Sequence, residues 1–229
     1  MLRSGRLVSG PMVESFEKEI GAYLGVKNVV AVNSGTAALH LSFLALDIKP
    51  GDEVITTPFS FAATSNTIIQ AGAKPVFVDV NMDTFNIDPQ CVERAVTERT
   101  VAIEPVHIFG QPADLKPIID VAEEHDLGLV EDAAEAIGAE YQRKKIGNTN
   151  WFAGFSTYAT KNLHTGEGGF ITTNNDEAAT KLRFLRSQGQ RSKYDHVTLG
   201  YNYRMTEIAA AIGRTQVKRI DDFNSARIN

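Results

Sequence analysis

Lys161 is the residue whose surroundings most suggest chemistry, because a glycine-rich stretch, GEGG at 166–169, follows it closely. A lysine amine condenses with an aldehyde, of a cofactor or of a substrate, when a site positions it and helps to deprotonate it. Ser156, in the segment FSTYATK that ends at Lys161, offers a hydroxyl group to a phosphate. A lysine that is merely solvated in a loop remains the alternative interpretation.

A second segment, NSGT at 33–36, joins an apolar strand pattern to a helix pattern rich in alanine and leucine. Free backbone N–H groups at a helix N-terminus attract anions, and Gly35 would let a phosphate approach closely. The local sequence leaves open the alternative that Ser34 or Thr36 only caps the helix.

Asp132 lies where a third apolar strand pattern ends. A carboxylate at that point could stay ionised and hold a ring nitrogen in its protonated form, although a solvated strand-end acid is the simpler interpretation. Glu131 has similar chemistry, but side chains alternate along a strand, so we expect it to point to the other face.

The elements that position these residues alternate along the chain between short apolar runs and helix-like segments. One helical face of 13–24 carries Val13, Phe16, Ile20 and Leu24, and Asp88 before Pro89 predicts a helix start. We expect strands at 28–32, 54–56, 75–79, 101–108, 127–130, 154–158 and 169–173. The alternation predicts an α/β fold with a mostly parallel sheet between two helical layers.

Parallel sheets bind ligands at the carboxyl ends of their strands. We therefore expect the site in the loops at 34–36, 58–64, 107–111, 131–135 and 156–169.

Composition excludes several classes of protein. The 23 basic and 28 acidic residues give a net charge of −5, which argues against a dedicated nucleic-acid binder. The sequence lacks the common glycine-rich nucleotide fingerprints and the nucleophile elbow of α/β-hydrolases. Its five histidines show no paired metal-ligand spacing, so no metal is expected.

Localisation follows from what the sequence lacks. Cys91 is the single cysteine, so no internal disulfide is expected, and neither a secretory signal nor a membrane span is recognisable. We expect a cytoplasmic protein. A basic cluster at Arg183, Arg186, Arg191 and Lys193 could form a diphosphate groove, but a solvated helix end explains it equally well.

Taken in order, these segments resemble the pyridoxal-phosphate sugar aminotransferases of the DegT/DnrJ/StrS type, which have the aspartate-aminotransferase fold. The similarity extends over nearly the whole chain. It rests on GP at 10–11, NSGTAAL at 33–39, GDEV at 51–54, FSFAAT at 59–64, HIFGQPAD at 107–114, EDAAEA at 131–136, TKN at 160–162, GEGG at 166–169 and GYNYRMTE at 200–207.

The resemblance implies a role for each candidate residue. Lys161 would bind pyridoxal phosphate covalently and move protons, while Asp132 would pair with the nitrogen of the cofactor ring. Gly35, Thr36 and Ser156 would hold the phosphate. Three further residues complete the expected cofactor site: Phe61 over the ring face, Glu135 near the ring, and Asn202 reaching the phosphate from a second subunit of a homodimer.

The function implied is transfer of an amino group, with glutamate as donor, to a keto sugar nucleotide in amino-sugar or polysaccharide biosynthesis. A dehydratase branch of the family has histidine in place of the lysine, so Lys161 argues against it. Two alternatives stay open: a transaminase for a cyclitol or another ketone, and a non-catalytic module that binds the cofactor or a sugar.

The resemblance also sets an expectation for domain organisation. Residues 1–229 would form the cofactor-binding large domain, without the N-terminal lead-in and the small C-terminal domain that family members usually have.

Overall fold

A computed structural model describes residues 2–228, and for Ser4 the backbone alone. Eight α-helices are numbered in chain order. They are α1 (Pro11–Leu24), α2 (Gly35–Ala45), α3 (Ala62–Gln70), α4 (Pro89–Ala95), α5 (Leu115–Glu124), α6 (Asp176–Arg186), α7 (Glu207–Val217) and α8 (Ile220–Ile228). Short 3-10 turns lie at Leu2–Ser4 and Ile108–Gly110.

The strands follow the same order. They are β1 (Asn28–Val32), β2 (Glu53–Thr56), β3 (Lys74–Phe77), β4 (Thr100–Ile103), β5 (Gly128–Asp132), β6 (Glu140–Tyr141), β7 (Lys144–Lys145), β8 (Phe152–Ser156), β9 (Gly169–Thr173), β10 (Gln190–Ser192) and β11 (Asp195–His196). β6 pairs with β7, and β10 pairs with β11, in small antiparallel ribbons.

The remaining seven strands form one sheet in the order β1-β9-β8-β5-β4-β2-β3. The pairs β8–β5, β5–β4, β4–β2 and β2–β3 are parallel, whereas β9 runs antiparallel to both of its neighbours. Because β9 reverses direction between them, β1 and β8 point the same way. The carboxyl ends of β1, β2, β4, β5 and β8 therefore meet at one edge of the sheet.

Helices cover both faces of this sheet, which confirms the predicted three-layer α/β/α architecture. On one face, residues of α2, α3 and α6 pack with inward-facing strand residues such as Val54, Ala102 and Val130. On the other face, α4 and α5 pack against residues such as Ile55 and Leu129, while α1 and α7 pack beside β1, β8 and β9. Burial of strands on both faces is typical of a parallel sheet between helices.

The structure confirms two local predictions, the buried face of α1 and the start of α4. All four predicted face residues of α1 are buried, namely Val13, Phe16, Ile20 and Leu24. The Asp88 side chain caps α4 by accepting a hydrogen bond from the Gln90 amide at 2.8 Å. Both agreements come from short-range physics, helical periodicity and capping.

The strand predicted at 101–108 is wrong in its extent, because β4 ends at Ile103. Pro105 has no N–H to donate to a ladder, and the chain turns into a 3-10 helix at Ile108. Only an isolated bridge between Val106 and Asp132 continues the pairing. The shorter strand leaves the loop at its carboxyl end free to reach the site.

None of the helices within residues 2–228 is long and apolar enough to cross a membrane. Over the same residues, no group of three or more His, Cys, Asp or Glu side chains is arranged to hold a metal ion.

Candidate active site

A cavity of about 740 Å³ opens at the carboxyl edge of the sheet. Each of the five loops singled out from the sequence contributes to its lining. The lining residues include Ser34, Gly35 and Thr36, Pro58 to Phe61, His107 to Phe109, Asp132, Ala134 and Glu135, and Ser156, Tyr158, Thr160, Lys161 and Glu167. The crossover pattern was therefore sufficient to find this end of the sheet.

Lys161 enters the cavity from the loop that follows β8. Its backbone amide donates to the carbonyl of Tyr158 at 2.9 Å, which folds the loop back on itself. Its Nζ lies 2.8 Å from Oε1 of Glu135 and is largely shielded from solvent. The amine is thus held at the cavity wall by a carboxylate from the loop after β5.

Asp132 is the last residue of β5 and is 5% exposed. Its Oδ2 accepts a hydrogen bond from the Thr64 hydroxyl at 2.8 Å, and its Oδ1 accepts one from the Ala134 amide at 3.1 Å. Burial raises the pKa of Asp132, while these two hydrogen bonds and the charge of Lys161 oppose that rise. Asp132 and Lys161 line the same cavity, so a cationic or electron-poor ring between them would meet both groups.

Glu131 faces away from Asp132, as strand alternation predicted. Its Oε2 lies 3.0 Å from Nε2 of His107, and both side chains are fully buried. Nδ1 of His107 accepts a hydrogen bond from the Ala113 amide at 3.0 Å, which assigns the ring proton to Nε2 and makes His107 the donor to Glu131. Glu131 therefore orients a histidine at the cavity wall.

The N-terminus of α2 forms another wall. The Ser34 hydroxyl accepts a hydrogen bond from the Ala37 amide at 3.0 Å and so caps the helix, as one of the two interpretations predicted. The earlier first-turn amides, of Gly35 and Thr36, have no acceptor within the helix. A Cβ added to Gly35 would lie 2.8 Å from Cβ of Ser156, so glycine allows the helix end and the end of β8 to touch.

Phe61 and Asn202 take different positions relative to the cavity. Phe61 lines the mouth just before α3, and its ring is 81% exposed. Asn202 is exposed and lies outside the lining, where its backbone bridges to Ser187. Within one chain, seven of the eight candidate site residues share the cavity and Asn202 does not.

The sequence did not single out the residues that support Asp132. The Thr64 hydroxyl donates its only proton to Asp132. The Ser60 hydroxyl, 2.6 Å away, must therefore be the donor in its hydrogen bond with Thr64. His107 adds a buried ring to the wall. The segment at 58–64 and the loop at 107–111 were expected near the site, but serine and threonine are too common for their types alone to mark a role.

Aromatic rings narrow the cavity mouth. Phe59 lies at 5.6 Å from Phe85 and 6.3 Å from Phe109, measured between ring centroids. Phe109 also lines a second cavity of about 870 Å³, which shares Glu135 and Lys161 with the first and extends toward α8. Lys161 and Glu135 thus lie at the junction of two adjoining spaces.

The basic cluster does not form a single groove. Arg186 is largely buried and binds Oε1 of Glu17 at 2.7 Å and the carbonyl of Ala31 at 2.8 Å. Arg191 pairs with Asp195 across the β10–β11 ribbon. These contacts support a structural role for the cluster.

Comparison with known proteins gives a consistent result. Residues 1–229 match the DegT/DnrJ/EryC1/StrS aminotransferase family. GDP-perosamine synthase of Caulobacter vibrioides is 47% identical over 220 residues, which cover 95% of this chain and 59% of that protein. The dTDP-3-amino-3,4,6-trideoxy-alpha-D-glucose transaminase of Streptomyces venezuelae is 43% identical over 99% of this chain and 60% of its own length.

Solved structures agree with the sequence matches. The crystal structure of S. venezuelae DesV in complex with a ketimine intermediate has a TM-score of 0.95 at 43% identity, covering 96% of this chain and 60% of that one. NtdA of Bacillus subtilis with bound PMP has a TM-score of 0.91 at 37% identity, covering 96% of this chain and 51% of that one. The chain spans between 59% and 62% of the length of four curated relatives that it matches.

Proposed function

The chain belongs to the DegT/DnrJ/EryC1/StrS aminotransferase family, and on that premise we propose that it is the cofactor-binding large domain of a pyridoxal-phosphate-dependent transaminase. The acceptor is a keto sugar nucleotide and the amino donor is glutamate. The observation that carries the proposal is that the Lys161 amine and the buried Asp132 carboxylate line one cavity. Assembly as a homodimer and a cytoplasmic location belong to the same proposal.

The residues present suit the cofactor at both of its ends. The free amides of Gly35 and Thr36 and the hydroxyl of Ser156 would hold the phosphate, at a point where an added Cβ at residue 35 would lie 2.8 Å from Cβ of Ser156. Asp132 would pair with the ring nitrogen, and Phe61 would cover the face of the ring. The phosphate needs hydrogen-bond donors, the ring nitrogen needs a carboxylate, and the ring face needs an apolar surface. The residues named here supply these three.

When bound, pyridoxal phosphate supplies a reactive aldehyde and an electron-withdrawing ring. Asp132 keeps the ring nitrogen protonated because a carboxylate in a dry site stabilises a cation strongly. The hydrogen bonds from Thr64 and Ala134 hold that carboxylate in one orientation. Ser60, which lines the cavity, supports Thr64, so two hydroxyl groups in series fix the position of Asp132.

Lys161 has two tasks. Its amine would hold the cofactor covalently, and once free it would be the base that moves a proton at the amino donor. Glu135, 2.8 Å from the amine, holds it at the cavity wall. The same amine would return a proton when the keto sugar occupies the site.

The acceptor class is supported by the relatives. Proteins 47% and 43% identical to this chain are named as a GDP-perosamine synthase and a dTDP-amino-sugar transaminase. We propose that the sugar enters through the junction of the two cavities beside Lys161 and Glu135. An assay of keto sugar nucleotides with different bases and oxidised carbons identifies the acceptor.

The cofactor step is tested with the purified chain and pyridoxal phosphate. We expect a visible absorbance band, which borohydride reduction fixes onto Lys161 in the peptide map. Lys161→Ala abolishes the band, whereas Lys145→Ala, at a lysine lining only the second cavity, retains it. Addition of glutamate is expected to remove the band in the wild type. An adduct on another lysine, or a band that glutamate leaves unchanged, contradicts the proposal.

A further inference from the structure

Glu104 is a fully buried carboxyl group that the proposed mechanism does not use. It is 0% exposed, and neither carboxylate oxygen has a hydrogen-bond partner among residues 2–228. Its backbone is well bonded, since its amide donates to the carbonyl of Ile55 at 2.8 Å and its carbonyl accepts from the Thr56 hydroxyl at 2.9 Å. The proton of Thr56 is therefore already used. An ionised Glu104 side chain would destabilise the folded state, because burial without hydrogen bonds strongly disfavours a charge.

Sheet geometry places Glu104 on the same face as Asp132. Side chains alternate along a strand, so Glu104 shares a face with Ala102, and Asp132 with Val130. Ala102 and Val130 pack in one core cluster, together with Ile68 of α3. Ile103, which precedes Glu104, and Leu129, which precedes Val130, pack in the core cluster on the other face of the sheet. Glu104 directly follows β4 and Asp132 ends β5, so the two residues lie at neighbouring strand ends, on the sheet face that packs with Ile68 of α3.

The two carboxyl groups are unequal in their surroundings. Asp132 accepts hydrogen bonds from Thr64 and Ala134 and feels the positive charge of Lys161. Burial, and then the charge of Asp132, raise the pKa of Glu104 well above its ordinary value. α3, which packs on this face, contains no titratable residue, and among residues 2–228 the Thr56 hydroxyl of β2 is the group that opposes the rise in the pKa of Glu104. Where two acids share a dry layer, the charge goes to the better-solvated one.

We propose that Glu104 is a positioning residue that stays protonated beside Asp132, so that the buried layer carries a single negative charge, on the carboxylate that faces the cavity. Its significance for cofactor binding rests on the proposed function. Its charge state does not, because it follows from the sheet and its hydrogen bonds alone. Ionisation of Glu104, once the pH exceeds its raised pKa, places a second charge in the layer and loosens the packing that holds Asp132.

The first test is the pH dependence of stability of the full chain. Because the folded state holds a proton on Glu104 that the unfolded state releases above about pH 4.3, wild-type stability falls as pH rises through that window. Glu104→Gln has no such proton. The folded-to-unfolded ratio of E104Q should therefore gain on that of the wild type by up to about tenfold per pH unit until the folded-state pKa is passed.

Two further variants sharpen this test. Glu104→Met removes the polar group while keeping an unbranched side chain, and it should show the same pH-dependent gain if the amide of E104Q packs poorly. Glu53→Gln is the matched control, because Glu53 is also buried but is paired with Arg99 and Lys74, and hydrogen bonds from Thr97 and Arg99 lower its pKa. Below about pH 4.3, E53Q should lose stability relative to the wild type as pH rises, and above that pH the difference should stay constant, in contrast to E104Q.

The second readout is retention of pyridoxal phosphate between pH 6 and pH 10, followed by absorbance. We expect the wild type to lose cofactor at alkaline pH and E104Q to retain it to higher pH. A difference in stability between E104Q and the wild type that does not change with pH would overturn the proposal. So would the expected stability result with identical cofactor profiles. If no form binds the cofactor while the stability difference has the expected pH dependence, the proposed function fails and the charge assignment stands.

Discussion

The amine of Lys161 and the carboxylate of Glu135 lie 2.8 Å apart, on loops that follow two adjacent parallel strands, β8 and β5. The pair forms because the carboxyl ends of those strands meet at one edge of the sheet. Glu135 is exposed and Lys161 is partly buried, so their contact lies where the cavity opens to solvent. The lysine is therefore presented to the cavity in a defined position before any ligand arrives.

Glu135→Gln is expected to retain cofactor attachment within about threefold of the wild type, because an amide oxygen can still accept a hydrogen bond from Lys161. Glu135→Ala removes the acceptor and should lower occupancy about two- to tenfold. Titration with pyridoxal phosphate, followed by absorbance, measures both. Equal losses in E135Q and E135A would mean that charge, rather than position, is what Glu135 provides.

Asp132→Asn keeps the shape of the side chain and removes its charge. A hydrogen bond to a charged group contributes about 1.5–3 kcal/mol, so cofactor affinity should fall at least about tenfold. Stability to urea should change little, because the variant no longer buries a carboxylate. Asp120→Asn, at an exposed ion pair with Lys116, serves as control and should bind normally. Normal binding by D132N would contradict the role of Asp132.

Gly35→Ala tests the contact between α2 and the end of β8. The added Cβ lies 2.8 Å from Cβ of Ser156, so the helix end must move. Overpacking of this kind costs about 1–3 kcal/mol, and we expect a lower melting temperature and weaker cofactor binding. Ser156→Gly in the same chain removes the clashing atom and should restore part of the melting temperature. If the double variant does not regain melting temperature, the strain caused by Gly35→Ala does not come from its contact with Ser156.

Asn202 tests the homodimer. Asn202 lies outside the cavity of its own chain. In a homodimer we therefore expect each active site to take Lys161 from one chain and Asn202 from the other, so that Asn202→Ala and Lys161→Ala remove residues contributed by different chains. Random reassociation of two inactive variants makes half of the dimers mixed, each with one intact site, so about a quarter of wild-type activity should return. Mixing is carried out under mild denaturation and measured by transamination. No regain of activity would argue against a shared site.

Glu207 anchors the start of α1. Its carboxylate accepts hydrogen bonds from the amides of Gly10, Met12 and Val13 at 2.9–3.0 Å. Burial pushes the pKa of Glu207 up, but these three amides outweigh burial and hold the pKa below its ordinary value. The stability it contributes is therefore present above about pH 4.3 and is lost as pH falls through the lower, folded-state pKa.

Glu207→Gln should consequently destabilise the chain by about 1–3 kcal/mol at pH 7, since an amide offers a single oxygen in place of two. The difference should shrink in acid, where the wild type also becomes neutral. Urea unfolding at pH 7 and at a series of pH values well below about 4.3 measures both values. A difference that is constant with pH would show that charge is not what stabilises the helix start.

Much of the site could be predicted from the sequence because its placement depends on local patterns. Apolar runs marked the strands, and the residues just after them, such as Asp132, had to lie at one edge of the sheet. The alternation rule separated Asp132 from Glu131 without any three-dimensional information. The loop around Lys161 followed from the same reasoning.

What the sequence could not give depends on tertiary contacts. The antiparallel direction of β9 is set by the loop at 157–168, whose path no periodicity describes. Thr64 supports Asp132 only because α3 packs over β5. Glu104 falls inside the strand predicted at 101–108, and its full burial becomes visible only when β2 and β5 flank it in the sheet.

The placement of β1 at the edge of the sheet has a consequence for synthesis of the chain. Its pairing strand, β9, lies at Gly169–Thr173, far along the chain. During translation β1 must wait unpaired, its apolar residues exposed, while β2, β3 and β4 can already associate. The wall formed by Gly35 and Ser156 closes only when the nascent chain has delivered β8. The order of synthesis therefore places completion of this pocket after β2, β3 and β4 can associate.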